Sequence, residues 1–157
     1  MEASVPPFQD FLEANRAMVY RFLTVAVGPL EADDCFQETF LSALKAYPRR
    51  ANSDRLDRWV LRIASRKAID QHRIAGRRAV PTEHLPERPA TDAEPSTGDD
   101  PLWAAVRNLP PRQRVAVVHR HVLDRSYEEI AELMGTSQDA ARASVHQGTK
   151  RLRELMR

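Results

Sequence analysis

The chain has a single cysteine, Cys35, in 157 residues, so it can build neither an internal disulfide framework nor a multi-cysteine zinc ribbon. Its five glycines are scattered, which excludes a glycine-rich loop of the kind that cradles phosphate. No stretch approaches the roughly 20 apolar residues of a membrane span. Residues 1–10 also lack the basic start and apolar core of a secretory signal. Aromatic residues make up 6%, and no two-residue hairpin turn or long polar–apolar alternation marks a β-sheet. A net charge of +2 excludes a simple polybasic arm or acidic tail. What is present is a chain with 42% hydrophobic residues, enough to bury a core. The expectation is a cytoplasmic protein without membrane contact of its own.

Counted by segment, the charge is not neutral. Residues 1–44 carry 2 basic and 7 acidic residues, net −5; residues 45–78 carry 11 and 3, net +8. Residues 79–101 carry one basic residue against six acidic, net −5, and residues 102–157 carry 10 against 6, net +4. Seven of the eleven prolines lie between Pro81 and Pro111, and residues 79–101 contain no aromatic. Such a stretch has too little apolar surface to offset its ordering entropy. It reads as a flexible acidic linker, 79–101, between compact pieces at 1–78 and 102–157.

Both pieces read as helical, so the fold class is all-α. Phe8, Phe11, Leu12, Val19, Phe22 and Leu23 form a 3.6-residue stripe that Gly28 and Pro29 end. A second helix turns Cys35, Phe36, Phe40, Ala43, Leu44 and Tyr47 inward and is expected to stop at Pro48. A third starts after Ser53 or Asp54 with Leu56, Trp59, Val60 and Ile63 on one side. In the second piece a helix begins at Pro110 and Pro111, where proline is tolerated.

Two patterns carry chemistry. At 100° per residue, Arg58, Arg62, Arg66, Arg73 and Arg77 fall within an arc of roughly 100°, with Arg55 beside them and Arg49 and Arg50 in the preceding loop. Guanidinium groups stay charged and bind phosphate bidentately, so this strip suits a nucleic-acid backbone; a solvated basic face is the competing reading. In the second piece, Ser126 to Glu129 is a capping box, Gly135 to Ser137 a break, and Ser137 the cap of a further helix. A short helix, a glycine turn and a capped second helix make a helix-turn-helix, against the plainer reading of a helical hairpin with a wet face. The inward side of its second helix is Ala141, Val145, Leu152 and Leu155; Gln138, Arg142, His146 and Lys150 line up outward.

Catalytic readings are poor. Cys35 lies on the apolar stripe as inert packing. His119 and His121 are two apart on a helix and point to different faces. The acids Glu31, Asp33, Asp34 and Glu38 surround a helix start, where they offset the dipole rather than bind metal. No cofactor, metal or enzymatic activity is expected.

Three motif groups resemble the bacterial sigma-70 family. Residues 33–41 (DDCFQETFL) are similar to region 2.2. Residues 56–64 (LDRWVLRIA) with Ala68, Ile69 and Asp70 are similar to regions 2.3 and 2.4. Residues 109–114 (LPPRQR) with 126–135 (SYEEIAELMG) are similar to region 4. The small size and missing region 3 resemble the extracytoplasmic-function (group IV) class. The resemblance implies region 2 at 1–78, region 4 at 102–157, and a non-catalytic subunit that directs core RNA polymerase to promoters. It implies that Asp34, Gln37 and Glu38 bind the β′ clamp helices, while region 4 meets the β flap. Arg49, Arg50, Arg55, Arg58, Arg62, Arg66 and Arg73 would meet the −10 element; Trp59 would chiefly pack in the core. Gln138, Arg142, Ser144, His146 and Lys150 would read the −35 element. The partners implied are core polymerase, promoter DNA and, by family habit, an anti-sigma factor. Family members commonly have asparagine at Arg66, Lys-Ser-Arg at 142–144 and arginine at Gln147, so a weaker phosphate grip is expected here. The alternative is a stand-alone helix-turn-helix regulator, which has no use for the acidic second helix.

Overall fold

The computed structural model describes residues 6–50, 55–77 and 100–157, with side chains described except at 48–50 and 72–77. All regular structure among them is α-helical. The order is α1 (Phe8–Val27), α2 (Pro29–Arg50), α3 (Leu56–Arg77), α4 (Pro101–Arg107), α5 (Pro111–His121), α6 (Tyr127–Met134) and α7 (Gln138–Leu155).

Helices α1, α2 and α3 pack on one another, and α5, α6 and α7 do the same. Gly28 makes the first corner. Its φ of 90° is costly for any residue with a Cβ, and the N–H still closes on the Thr24 carbonyl. Proline at the first position of α2 then costs nothing, since that N–H has no helical partner anyway. Helix α2 runs two residues beyond the expected stop at Pro48, to Arg50. Its buried line is Ala32, Cys35, Thr39, Phe40, Ala43 and Tyr47. Thr39 is tolerated there because its hydroxyl donates to the Cys35 carbonyl at 2.7 Å. Leu44, expected inward, is 49% exposed, because it lies a full 100° past Ala43.

Helix α4 was not anticipated from sequence. Asp100 caps it by accepting from the Leu102 N–H at 2.9 Å, with Pro101 at its first position. In α6, Ser126 Oγ accepts from the Glu129 N–H, and Gly135 ends the helix in the left-handed region (φ 64°). Ser137 caps α7 through the Ala140 N–H. Ala141 and Val145 are buried and Leu152 half-buried, but Leu155 is 48% exposed at the end of α7. Gly148 is where α5 and α7 touch; a Cβ there would stand 2.6 Å from Val117 Cγ2.

The two groups of helices meet. Helix α3 packs against α5 and α6, and α1 against α4 and α5. Val106, Val115, Val118 and Leu133 join Phe22, Leu23, Val60 and Leu61 in one continuous apolar core. Fully burying each such side chain is worth about 1.5–3 kcal/mol. A smaller cluster, Ala116, Ile130, Ala131, Ala141 and Val145, lies within the helix-turn-helix.

Candidate nucleic-acid and polymerase interface

The described residues present three chemically distinct faces. On α2, Asp34, Gln37 and Glu38 are all exposed. Leu30 and Leu41 stand beside them at 59% and 57% exposure. The pairing of acids with leucines is a surface for a partner that is basic and partly apolar. Sequence periodicity alone did not pick out the two leucines, because leucine on a helix reads as core.

Arg55, the residue before α3, and Arg62 and Arg66 on that helix are exposed. Arg55 pairs with Asp57 at 3.5 Å, a wet contact of little energetic weight. Arg62 and Arg66 make no ion pair among the described residues and line both grooves flanking α3. One, of about 390 Å³, runs between α2 and α3 past Ser42, Trp59, Ile63 and Lys67. The other, of about 270 Å³, faces Arg112, Leu133 and Gly135, with Asp70 its one carboxylate. Trp59 packs towards the core, its ring tilted against Phe11 at 5.8 Å between centroids, and also lines the first groove. Apolar walls with cations on the rim suit a single strand, whose bases stack while its phosphates are neutralised.

Arg58 differs from its neighbours. It is half-buried, and its guanidinium lies 3.7 Å from carboxylate oxygens of both Glu129 and Glu132 on α6. Burial opposes ionisation of Glu129. The Arg125 hydrogen bond and the Arg58 charge outweigh it and hold the carboxyl below its usual range. The side chains of Arg49, Arg50 and Arg73 lie outside the described residues, so of this expected set the structure brings together Arg55, Arg58, Arg62 and Arg66.

On α7, Gln138, Arg142, His146 and Lys150 are exposed along one face, and Ser144 is half-buried. Arg142 sits 5.1 Å from the centre of the Tyr127 ring, which Arg120 also approaches at 4.5 Å. The aromatic face holds the long side chain in place by cation–π attraction. Tyr127 is a positioning residue that the sequence pattern did not single out.

Cys35 is buried, and burial with the nearby acids Glu38, Glu31 and Asp34 pushes its thiol up to about 12, away from nucleophilic chemistry. His119 is buried while His121 is exposed. Among the described residues no group of three His, Cys, Asp or Glu comes together as a metal site. None of their helices is long and apolar enough to cross a membrane.

Comparison with known proteins agrees with this geometry. The family model for Sigma-70 region 2 matches residues 11–78, and that for Sigma-70, region 4 matches residues 99–152. The ECF RNA polymerase sigma factor SigD of Mycobacterium tuberculosis is 35% identical over 159 residues, covering 93% of this chain and 75% of the relative. ShbA of Streptomyces griseus, also an ECF sigma factor, is 34% identical, covering 99% and 90%. CarQ of Myxococcus xanthus, an RNA polymerase sigma factor, is 36% identical, covering 95% and 88%. Among solved structures, the sigma factor RpoE of Bartonella quintana, in complex with the anti-sigma factor NepR, matches with a TM-score of 0.72. That match, at 22% identity, covers 95% of this chain and 96% of that one and shows the shared fold. The chain therefore belongs to the sigma-70 family, as an RNA polymerase sigma factor of the extracytoplasmic-function class.

Proposed function

We propose that the three faces divide the work of promoter recognition. The acidic and leucine-bearing face of α2 (Asp34, Gln37, Glu38, Leu30, Leu41) docks on the β′ clamp helices of core polymerase. The arginine face of α3 (Arg58, Arg62, Arg66), with Arg55 just before the helix, captures the −10 element and its displaced strand. The outward face of α7 (Gln138, Arg142, Ser144, His146, Lys150) enters the major groove at the −35 element, as the second helix of a helix-turn-helix does.

The observation that supports this most is chemical segregation on one scaffold: exposed carboxylates on α2, the exposed arginines Arg62 and Arg66 on α3 and a mixed polar face on α7. The chain acts as a non-catalytic specificity subunit in the cytoplasm, with Cys35 serving packing only. An anti-sigma factor is a further partner, a reading supported by RpoE of Bartonella quintana, whose structure was solved with NepR. Pull-down with core polymerase tests the first face. Retention of the native chain, lost in Gln37→Ala/Glu38→Ala but kept in Arg142→Ala, is the expected pattern. Equal loss in both variants would refute the division of labour.

A further inference from the structure

The smaller of the two grooves beside α3 draws its cations from both modules. Arg62 and Arg66 belong to α3, while Arg112 comes from the start of α5. All three residues are exposed, and none makes an ion pair among the described residues. We propose that this cleft is a binding site for a small organic phosphomonoester, of the size of a nucleoside monophosphate. The three guanidiniums hold its phosphate, and the apolar wall of the cleft receives its organic part.

Charge selects the phosphate. Arg62 and Arg66 lie four apart on one helix, an arrangement in which like charges repel. Arg112 adds a third cation, and Asp70 is the one carboxylate in the lining. Three guanidiniums against one carboxylate leave a local charge of +2. A phosphomonoester carries about −1.5 to −2 at neutral pH and matches that charge, whereas each diester of a DNA strand carries a single negative charge. Guanidinium forks also grip phosphate oxygens bidentately and stay charged at any working pH.

Shape selects a compact ligand over a strand. The cleft, of about 270 Å³, approaches the ~300 Å³ at which small-molecule pockets begin. Beyond the cations its wall is aliphatic, with Ile69 of α3 facing Leu133 and Met134 of α6. Among the described residues its lining includes no aromatic ring; Trp59 lines the other groove. A continuous single strand gains much of its binding by stacking on such rings, so the larger groove suits the strand better. Gly135 of the helix-turn-helix also lines the cleft, and a Cβ there would stand 3.9 Å from Arg62 Nη2. Its φ of 64° favours glycine, so no side chain stands between that turn and the Arg62 guanidinium.

Arg62 and Arg66 line both grooves, so a bound phosphomonoester and a bound strand compete for the same two cations. The site itself does not depend on the reading of α3 as the −10 surface; the competition does.

The test is isothermal titration calorimetry on the full chain with AMP, adenosine and inorganic phosphate as probes, at one fixed ionic strength. Arg112→Gln removes a cation of the cleft that has no part in the −10 surface. Arg21→Gln removes the same charge from an exposed position on α1, outside the cleft. Helicity of both variants is checked by circular dichroism. Expected is AMP binding to the native chain and to Arg21→Gln, roughly ten-fold or more weaker in Arg112→Gln, as loss of a charge-assisted hydrogen bond implies. Adenosine should not bind, and inorganic phosphate should bind more weakly than AMP. No binding of millimolar AMP, equal binding in Arg112→Gln and Arg21→Gln, or adenosine binding as tightly as AMP overturns the site. A second arm measures displacement of a labelled single-stranded DNA by AMP. Displacement supports the competition. AMP binding that is lost in Arg112→Gln but displaces no strand supports the site and overturns the −10 assignment of Arg62 and Arg66.

Discussion

The imidazole of His119 on α5 lies flat against the ring of Phe22 on α1, with the planes 6° apart. Two residues separated by 97 positions thereby tie the helix-turn-helix to the first three helices. The Ser65 hydroxyl already donates to the Leu61 carbonyl, so the proton of the His119–Ser65 bond is assigned to His119 Nε2. Nδ1 is left buried without a partner. The ring is therefore held neutral. Burial, with the Arg125 charge behind it, pushes its pKa from 6.5 down to about 3.

A pH dependence follows from that ring. Its folded pKa lies below its unfolded value, so the unfolded chain binds the proton more readily between the two. Stability is complete above pH 6.5 and is lost as pH falls below it, by up to about 1.4 kcal/mol per unit. Between pH 7.5 and 5 the urea midpoint should drop by the equivalent of about 2 kcal/mol. His119→Gln, which keeps an N–H for Ser65 but does not titrate, should flatten that slope. A slope unchanged by the substitution would show that other groups govern it.

Gly148 inverts an ordinary rule. Glycine to alanine inside a helix normally stabilises by about 1 kcal/mol. Here the new Cβ would stand 2.6 Å from Val117 Cγ2, and overpacking of that kind costs about 1–3 kcal/mol. Gly148→Ala should lower the melting temperature, and Val117→Ala in the same chain should recover part of the loss. A Gly148→Ala protein that melts higher than the native one contradicts the close approach of α5 and α7.

The α7 face should behave as a duplex reader. Arg142→Ala is expected to weaken binding to a −35 duplex and to lower the slope of log affinity against log salt by about 1. Tyr127→Leu should produce a smaller loss with that slope unchanged, because it removes a support and no phosphate contact. Identical salt slopes in Arg142→Ala and the native chain would mean that Arg142 meets no phosphate.

Cys35 should be silent. With its thiol buried and raised to about 12, the folded chain should resist a thiol-labelling reagent that the urea-unfolded chain takes up at once. Cys35→Ser should support transcription from the promoter as the native chain does. Loss of activity in a folded Cys35→Ser protein would reopen a chemical role.

Much of this molecule could be read from local pattern. Gly28, Ser126, Gly135 and Ser137 announce helix ends because caps and left-handed corners depend on one or two neighbouring residues. The exposure of Gln138, Arg142, His146 and Lys150 followed from helical period alone. Period fails at the edge of a stripe, as at Leu44, and at a helix end, as at Leu155, where no neighbouring element remains to cover the side chain. It also says nothing of partners remote in sequence. The carboxylates that hold Arg58 lie more than 70 positions away on α6, and the serine that meets His119 lies 54 positions back.

The most direct measurement is run-off transcription with purified core polymerase on fragments of the native genome. Specific transcripts should appear only when this chain is added. Gln37→Ala/Glu38→Ala should remove them through lost polymerase binding, and Arg142→Ala should reduce them with polymerase binding intact. A folded chain that binds core polymerase yet directs no specific start on any fragment would contradict its assignment as a promoter-directing subunit.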